Sequence, residues 1–302
     1  LEKDLNNQIL KKKLKTVLGS INDMRVLSKI HQNEKIDIVF HAAAYKHVPI
    51  VENNPLAGIY NNVFSTKVIC EAAKISNVSK LILISTDKAV RPKNVMGASK
   101  RLAELVVQAY AYEFKNISKS KKQFFSMVRF GNVLNSSGSV VPIFKEQIAR
   151  GGPITITHPD IIRYFMTIEE ASNLVIQSAY LSEGGEVFLL DMGEPVKINE
   201  LAEQMILQSG LTLKNKFNEE GDIEIVFTGL RPGEKLYEEL LIDAESEKTI
   251  HPLIFRAFEK SIDPQSLFSK LDELKINIEN CDVKESLKKL KEIVPDWQNS
   301  SE

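Results

Sequence analysis

The sequence predicts a doubly wound α/β fold, a mostly parallel sheet covered by helices, with a smaller α/β lobe for substrate. Three observations predict it. Short, apolar runs recur along the first half, and each leads into a stretch with helical periodicity. The runs are apolar throughout instead of alternating, as parallel strands buried on both faces are. Residues able to do chemistry follow directly after these runs, where open α/β sheets hold their ligands.

The first strand-like run is 16–19, with a helix expected over 23–33. The next is 36–41, followed by a helix over 55–76. Run 80–85 leads through a polar loop into a helix over 96–114, and run 125–130 closes the series. After Asn132 the rhythm changes. A helix over 140–150 is stopped by Gly151-Gly152-Pro153, and a short β run over 154–157 follows. Further on come an amphipathic helix (167–181), a buried strand (186–191), a helix stopped by Gly210 (199–209) and a strand (223–227). The charged stretch 267–293 reads as helical. No internal repeat or low-complexity linker appears, so two interleaved lobes are expected. Residues 1–135 form the cofactor-binding unit, with 186–200 returning to its sheet. Residues 136–302 form mainly the substrate lobe and the C-terminal helices.

The 302 residues carry a formal net charge of −1, which argues against nucleic acid as a partner. The run Lys11-Lys12-Lys13 reads as a solvated helix face. Cys70 and Cys281 stand far apart with no ligand-spaced neighbours, so neither a disulfide framework nor a metal site is expected. No apolar run approaches the roughly 20 residues needed to cross a bilayer, and no signal peptide is visible. A cytoplasmic setting fits. The chain opens without methionine inside a helical stretch, and no G-x-G-x-x-G occurs in it. Either it binds no dinucleotide, or the first strand–helix–strand, with its glycine-rich pyrophosphate turn, lies upstream. The second reading is the expectation.

The most informative stretch begins at Ser85. A strand ending in Ser85-Thr86 runs into Asp87-Lys88-Ala89, then into Met96-Gly97-Ala98-Ser99-Lys100. Positions 96 and 100 are one helical turn apart and share a face. An Asp-Lys dipeptide is usually a surface ion pair; its place after a strand end is what suggests a site. The layout resembles the active site of extended short-chain dehydrogenases, where Tyr-x-x-x-Lys opens this helix. Lys100 takes the lysine position. Met96 takes the tyrosine position, and a thioether has no proton to exchange. With Pro92, Asn94 and the Gly-Ala-Ser-Lys end, the stretch resembles the capsule and flagellin-glycan branch of UDP-N-acetylglucosamine 4,6-dehydratases, in its methionine type. The resemblance covers roughly residues 16–242.

That resemblance implies a Rossmann-like unit with a tightly bound, recycled NAD or NADP. It places Ile21, Ala42, Ala43, Ala44, Asn62, Ser85, Lys100, Phe130 and Val133 around the cofactor. Serine replaces the family's usual aspartate at position 20, which puts one adenine contact in doubt. Lys46, His47 and Asn132 would face the sugar. Thr155, Thr157 and Arg163 would belong to a nucleotide lid, and Arg231 and Glu234 to a loop clamping UDP. Arg-Pro-Gly-Glu alone is also a plausible turn. The implied reaction is oxidation at C4, loss of water across C5 and C6, and hydride return. Asp87 would be the acid, Lys88 the base, and Thr86 the relay for the O4 proton, helped by Lys100. Those roles need Asp87 raised and Lys88 lowered in pKa, which burial favours and an Asp–Lys ion pair opposes. A homo-oligomer is implied, with inner-membrane anchoring only through an N-terminal region outside this sequence. The competing readings are a UDP-sugar 4-epimerase and a non-catalytic dinucleotide or sugar-nucleotide binder.

Overall fold

The computed structural model describes residues 14–117, 123–239 and 246–298. The Lys11–Lys13 run and the helical start lie outside them. The fold is the expected mixed α/β one. Strands β1 (Ile38–His41), β2 (Lys80–Ile84), β3 (Phe124–Arg129) and β8 (Val187–Leu190) are parallel neighbours. Two further strands, β13 (Ile254–Ala257) and β12 (Glu247–Lys248), extend the sheet antiparallel beyond β8. The order across the six strands is β1-β2-β3-β8-β13-β12. Leu81, Ile82 and Leu83 at its middle are wholly buried.

Helices cover both faces. On one lie α1 (Met24–Asn33), α3 (Pro55–Ile59), α4 (Ser65–Ile75) and α5 (Val95–Ile117), after the short α2 (Val48–Asn53). Their apolar faces meet Leu81, Leu83 and Met127 in the largest core cluster. The C-terminal helices α9 (Pro264–Glu279) and α10 (Val283–Ile293) join that cluster through Leu267, Leu271, Leu290 and Trp297. On the opposite face, α7 (Ile168–Leu181) packs Ala171, Leu174 and Val175 against Ile82, Val128 and Phe188.

The second lobe is built on a parallel three-stranded sheet of order β10-β11-β5, made of Leu213–Lys214, Ile223–Phe227 and Ile154–Ile156. Helices α6 (Val140–Ala149) and α8 (Ile198–Gln208) bury Phe144, Ile148, Ala202 and Ile206 against it. Two small pairings, β4 (Asn132–Val133) with β7 (Phe165–Met166) and β6 (Ile162–Arg163) with β9 (Val196–Lys197), stitch the lobe to the sheet end.

Two expectations about elements need correction. Residues 16–19 form no strand; Leu18 is fully exposed, and no neighbouring strand is present for them among the described residues. A strand run without a partner leaves its backbone hydrogen bonds to water. Secondly, the single helix expected over 55–76 is interrupted. A π-helical turn, Tyr60–Phe64, separates α3 from α4, and such turns are frequent at functional sites.

Candidate active site

The C-terminal ends of β1, β2 and β3 open on one side of the sheet, and three loops meet there. The loop after β2 is held tightly. Thr86 caps the 3₁₀ turn Asp87–Ala89 by accepting from the Lys88 amide. Asn94 Oδ1 accepts from the Gly97 amide at 2.8 Å and so starts α5, while its Nδ2 donates to the Gly233 carbonyl at 2.9 Å. Gly97 is the only residue type that fits its position: a Cβ there would stand 2.2 Å from the Lys88 carbonyl oxygen. This close approach fixes Lys88 against the turn that carries Met96 and Lys100.

Asp87 is buried, with 3% of its surface exposed. Its Oδ1 accepts from the Thr86 hydroxyl at 2.8 Å and from Lys88 Nζ at 3.0 Å. Lys88 Nζ also donates to Asn132 Oδ1 at 3.4 Å and lies 3.7 Å from Glu238 Oε1. Burial opposes the Lys88 charge, but Asp87 and Glu238 outweigh it and raise its pKa. The lowered pKa expected of Lys88 is therefore corrected: in this arrangement it is an ammonium. Within the cleft it is Lys100 that burial pushes down, to about 8. Its Nζ donates to the Ile84 carbonyl at 2.7 Å.

Two adjoining cavities run along this end. The first, about 370 Å³, is walled by Ala42, Ala44, Ser85, Thr86, Met96 and Lys100, with Phe130 and Val133 opposite. The second, about 490 Å³, is walled by Arg163, Arg231, Glu234 and Glu238. Lys46, His47, Lys88 and Asn132 belong to both. Most residues expected at a site thus converge on one cleft, with Lys88 at the junction.

Others stand behind it. Asn62, 1% exposed in the π turn, accepts from the Tyr45 amide at 2.7 Å and donates to the Tyr45 carbonyl at 3.0 Å. It also donates to Ser99 Oγ at 2.9 Å, which ties the loop after β1 to α5. His41 shares a 3.0 Å hydrogen bond with Thr66, and burial pushes its pKa down to about 3, so the ring is neutral. Ile21 packs against the core, and neither it nor Ala43 lines the cleft. Thr155 is held by Gln147, and Thr157 donates to Glu234 Oε1 at 3.1 Å; neither lines a cavity. Arg163 spends its guanidinium on the carbonyls of Ile162, Lys235 and Leu236, shaping the loop that carries Glu234 and Glu238.

Sequence reasoning missed two features. One is Glu238, which has no motif around it. The other is a buried ionic network beneath Ser85. Ser85 Oγ donates to Glu104 Oε1 at 2.6 Å, and Arg129 bridges Glu104 and Glu259 through hydrogen bonds of 2.6–2.8 Å. Arg101 joins both carboxylates. An arginine ending the apolar run 124–129 was a readable signal, since a buried guanidinium requires partners. Among the described residues, no group of three or more His, Cys, Asp or Glu is placed to hold a metal ion.

Residues 1–259 match the model of a family described as polysaccharide biosynthesis protein. The chain belongs to that family. It is 52% identical over 236 residues to the capsular polysaccharide biosynthesis protein CapD of Staphylococcus aureus, covering 78% of this chain and 37% of CapD. The chain thus spans little more than a third of that relative. A UDP-glucose 4-epimerase of Rickettsia bellii is 34% identical over 247 residues, or 82% of this chain and 67% of the epimerase. The solved structure of Pen from Bacillus thuringiensis superposes with a TM-score of 0.70 at 32% identity, over 84% of this chain and 77% of Pen. At lower identity, solved nucleotide-sugar epimerases and dehydratases share its Rossmann fold. No helix among the described residues of this family member is long and apolar enough to cross a membrane.

Proposed function

We propose that this chain is the catalytic part of a nucleotide-sugar 4,6-dehydratase acting on UDP-N-acetylglucosamine, and that Thr86, Asp87 and Lys88 carry the elimination. The observation that carries the reading is the 2.8 Å hydrogen bond from Thr86 Oγ1 to Asp87 Oδ1, beside a methionine that cannot act as a base.

The nicotinamide end of NAD or NADP fits the first cavity. Ala42 and Ala44 give that wall only methyl side chains, which leaves room for a flat ring, and Lys100, on the same wall, would hold a ribose hydroxyl. The glycine-rich turn for the pyrophosphate is not in this sequence. When bound, the cofactor supplies the hydride acceptor and donor. UDP suits the second cavity, where Arg231 offers a planar fork for phosphate.

The chain's own residues then account for the protons. Thr86 takes the O4 proton and passes its own along the hydrogen bond to Asp87. Asp87, which lines neither cavity and lies directly behind Thr86 and Lys88, becomes a carboxylic acid. Lys88, once an amine, takes the C5 proton made acidic by the C4 ketone. Asp87 returns its proton to the departing C6 hydroxyl, which leaves as water. An epimerase needs no such acid and base at C5 and C6.

The test uses the full-length protein with UDP-N-acetylglucosamine and product mass. Wild type gives a nucleotide sugar lighter by one water. Asp87→Asn loses that product. A product of unchanged mass from wild type supports the epimerase instead.

A further inference from the structure

The Lys88–Asp87 ion pair leaves a question of proton placement, because an ammonium cannot remove the C5 proton. We propose that Glu238 is a positioning residue that accepts the proton Lys88 must shed, so that the amine forms inside the closed cleft without losing a proton to water. This rests on the elimination reading for the use of the amine; the coupling of the two side chains stands on the geometry of the chain itself.

Glu238 is placed for that role. Its side chain is 5% exposed, and Oε1 lies 3.7 Å from Lys88 Nζ and 4.0 Å from Arg163 Nη2. Its second oxygen, Oε2, is buried and has no hydrogen-bond partner. A buried carboxylate oxygen left unpaired is costly, and protonation relieves it. Burial raises the Glu238 pKa; Asp87 raises it further, while Lys88, Arg163 and Lys235 oppose. Lys235 is itself occupied, donating to the Val90 carbonyl at 2.8 Å. Arg163 is occupied by three backbone carbonyls. Neither cation therefore turns fully to Glu238, and Lys88 is the one whose approach changes the balance.

The 3.7 Å gap is beyond hydrogen-bond reach, so Lys88 Nζ first swings from Asp87 toward Glu238; the transfer is then balanced within the pair. The Nζ–H bond of Lys88 breaks and an O–H bond forms on Glu238; ammonium and carboxylate become amine and carboxylic acid, with no electron transfer and no co-reactant. Two changes on substrate entry favour it. The sugar displaces water from the second cavity, which penalises the charged pair more than the neutral one. Receipt of the O4 proton also neutralises Asp87, removing the nearest carboxylate that holds Lys88 charged.

The experiment uses the full-length protein and two arms. In the first, acetic anhydride labels lysines across a pH series, read by peptide mass spectrometry, with Lys46 as the internal reference. Glu238→Gln lowers the labelling midpoint of Lys88 by about one pH unit and leaves Lys46 unmoved. In the second arm, kcat is measured against pH. The active form of Glu238→Gln must lose a proton to solvent, so its kcat gains a limb falling about tenfold per pH unit on the acid side. Glu238→Asp keeps the wild-type shape. An unmoved Lys88 midpoint overturns the proposal, as does a Glu238→Gln kcat lowered by one factor at every pH, which marks a merely structural role. If wild type yields no dehydrated product, the functional reading fails, and the labelling arm still decides whether Glu238 controls the Lys88 proton.

Discussion

At the scale of single residues, Thr86 has the narrowest role. Its hydroxyl caps a turn and donates to Asp87, and valine keeps its shape while removing both functions. Thr86→Val is expected to lower kcat about 100-fold or more with UDP-sugar affinity preserved, whereas Thr86→Ser retains most activity; isothermal titration beside steady-state kinetics checks both. Lys100 makes a different prediction. Its folded pKa of about 8 lies below the 10.5 of an ordinary lysine. Between those values the unfolded chain holds more protons, so stability rises with pH through that window. Below pH 8 the full penalty remains, on the order of 3 kcal/mol before its hydrogen bond to Ile84 is counted. Lys100→Met should therefore be more stable than wild type at pH 7, with the advantage shrinking from pH 8 upwards. Thermal unfolding at several pH values measures it; a variant less stable at pH 7 contradicts the burial argument.

At the scale of elements, the site depends on how the loop after β2 seats on α5. Gly97 marks the contact. Gly97→Ala places a Cβ into the Lys88 carbonyl, and backbone cannot yield as a side chain tip does. A stability loss of about 1–3 kcal/mol is expected in urea unfolding, with activity falling further because Lys88 is displaced. Much of this was legible in advance. The Gly-Ala-Ser-Lys end pointed to a helix carrying Lys100, whereas the cap that Asn94 supplies was not read. The π turn was not legible, because the run 55–75 has ordinary helical periodicity. Its cause is tertiary: Asn62 must reach both Tyr45 and Ser99. The run 16–19 shows the converse. Its composition suits a strand, but a strand exists only when a neighbour accepts its hydrogen bonds.

At the scale of the molecule, the middle of the main sheet, α5 and the segment after β13 are joined under the cleft by the Arg129 network. Glu259, following β13, meets Glu104 of α5 through Arg129 at the end of β3. Burial opposes the charge on Glu104, but Arg129 and Arg101 hold its pKa down to about 2. The stability it contributes is thus present above the ordinary carboxylate pKa of 4.5 and lost as pH falls toward 2. Arg129→Met should cost about 3–5 kcal/mol at neutral pH, since it leaves two buried carboxylates with one fewer guanidinium between them; calorimetry reads the loss directly. No spacing rule exposes such a network, because its members come from three distant segments. The alternation of strands and helices, by contrast, was visible because each element carries its own periodicity. The convergence of Ser85, Lys100 and Asn132 was visible because strand ends in this fold meet. Glu238 was not, since only the course of the loop after Arg231 brings it beneath Lys88.

The central claim is that Asp87 and Lys88 perform an elimination. Incubating the full-length protein with UDP-N-acetylglucosamine in deuterated water tests it most directly, with product mass and proton spectra as the readout. The account predicts a nucleotide sugar lighter by one water, carrying deuterium at C5 where Lys88 removed a proton. A product of unchanged mass, with C5 still bearing its original proton, contradicts it.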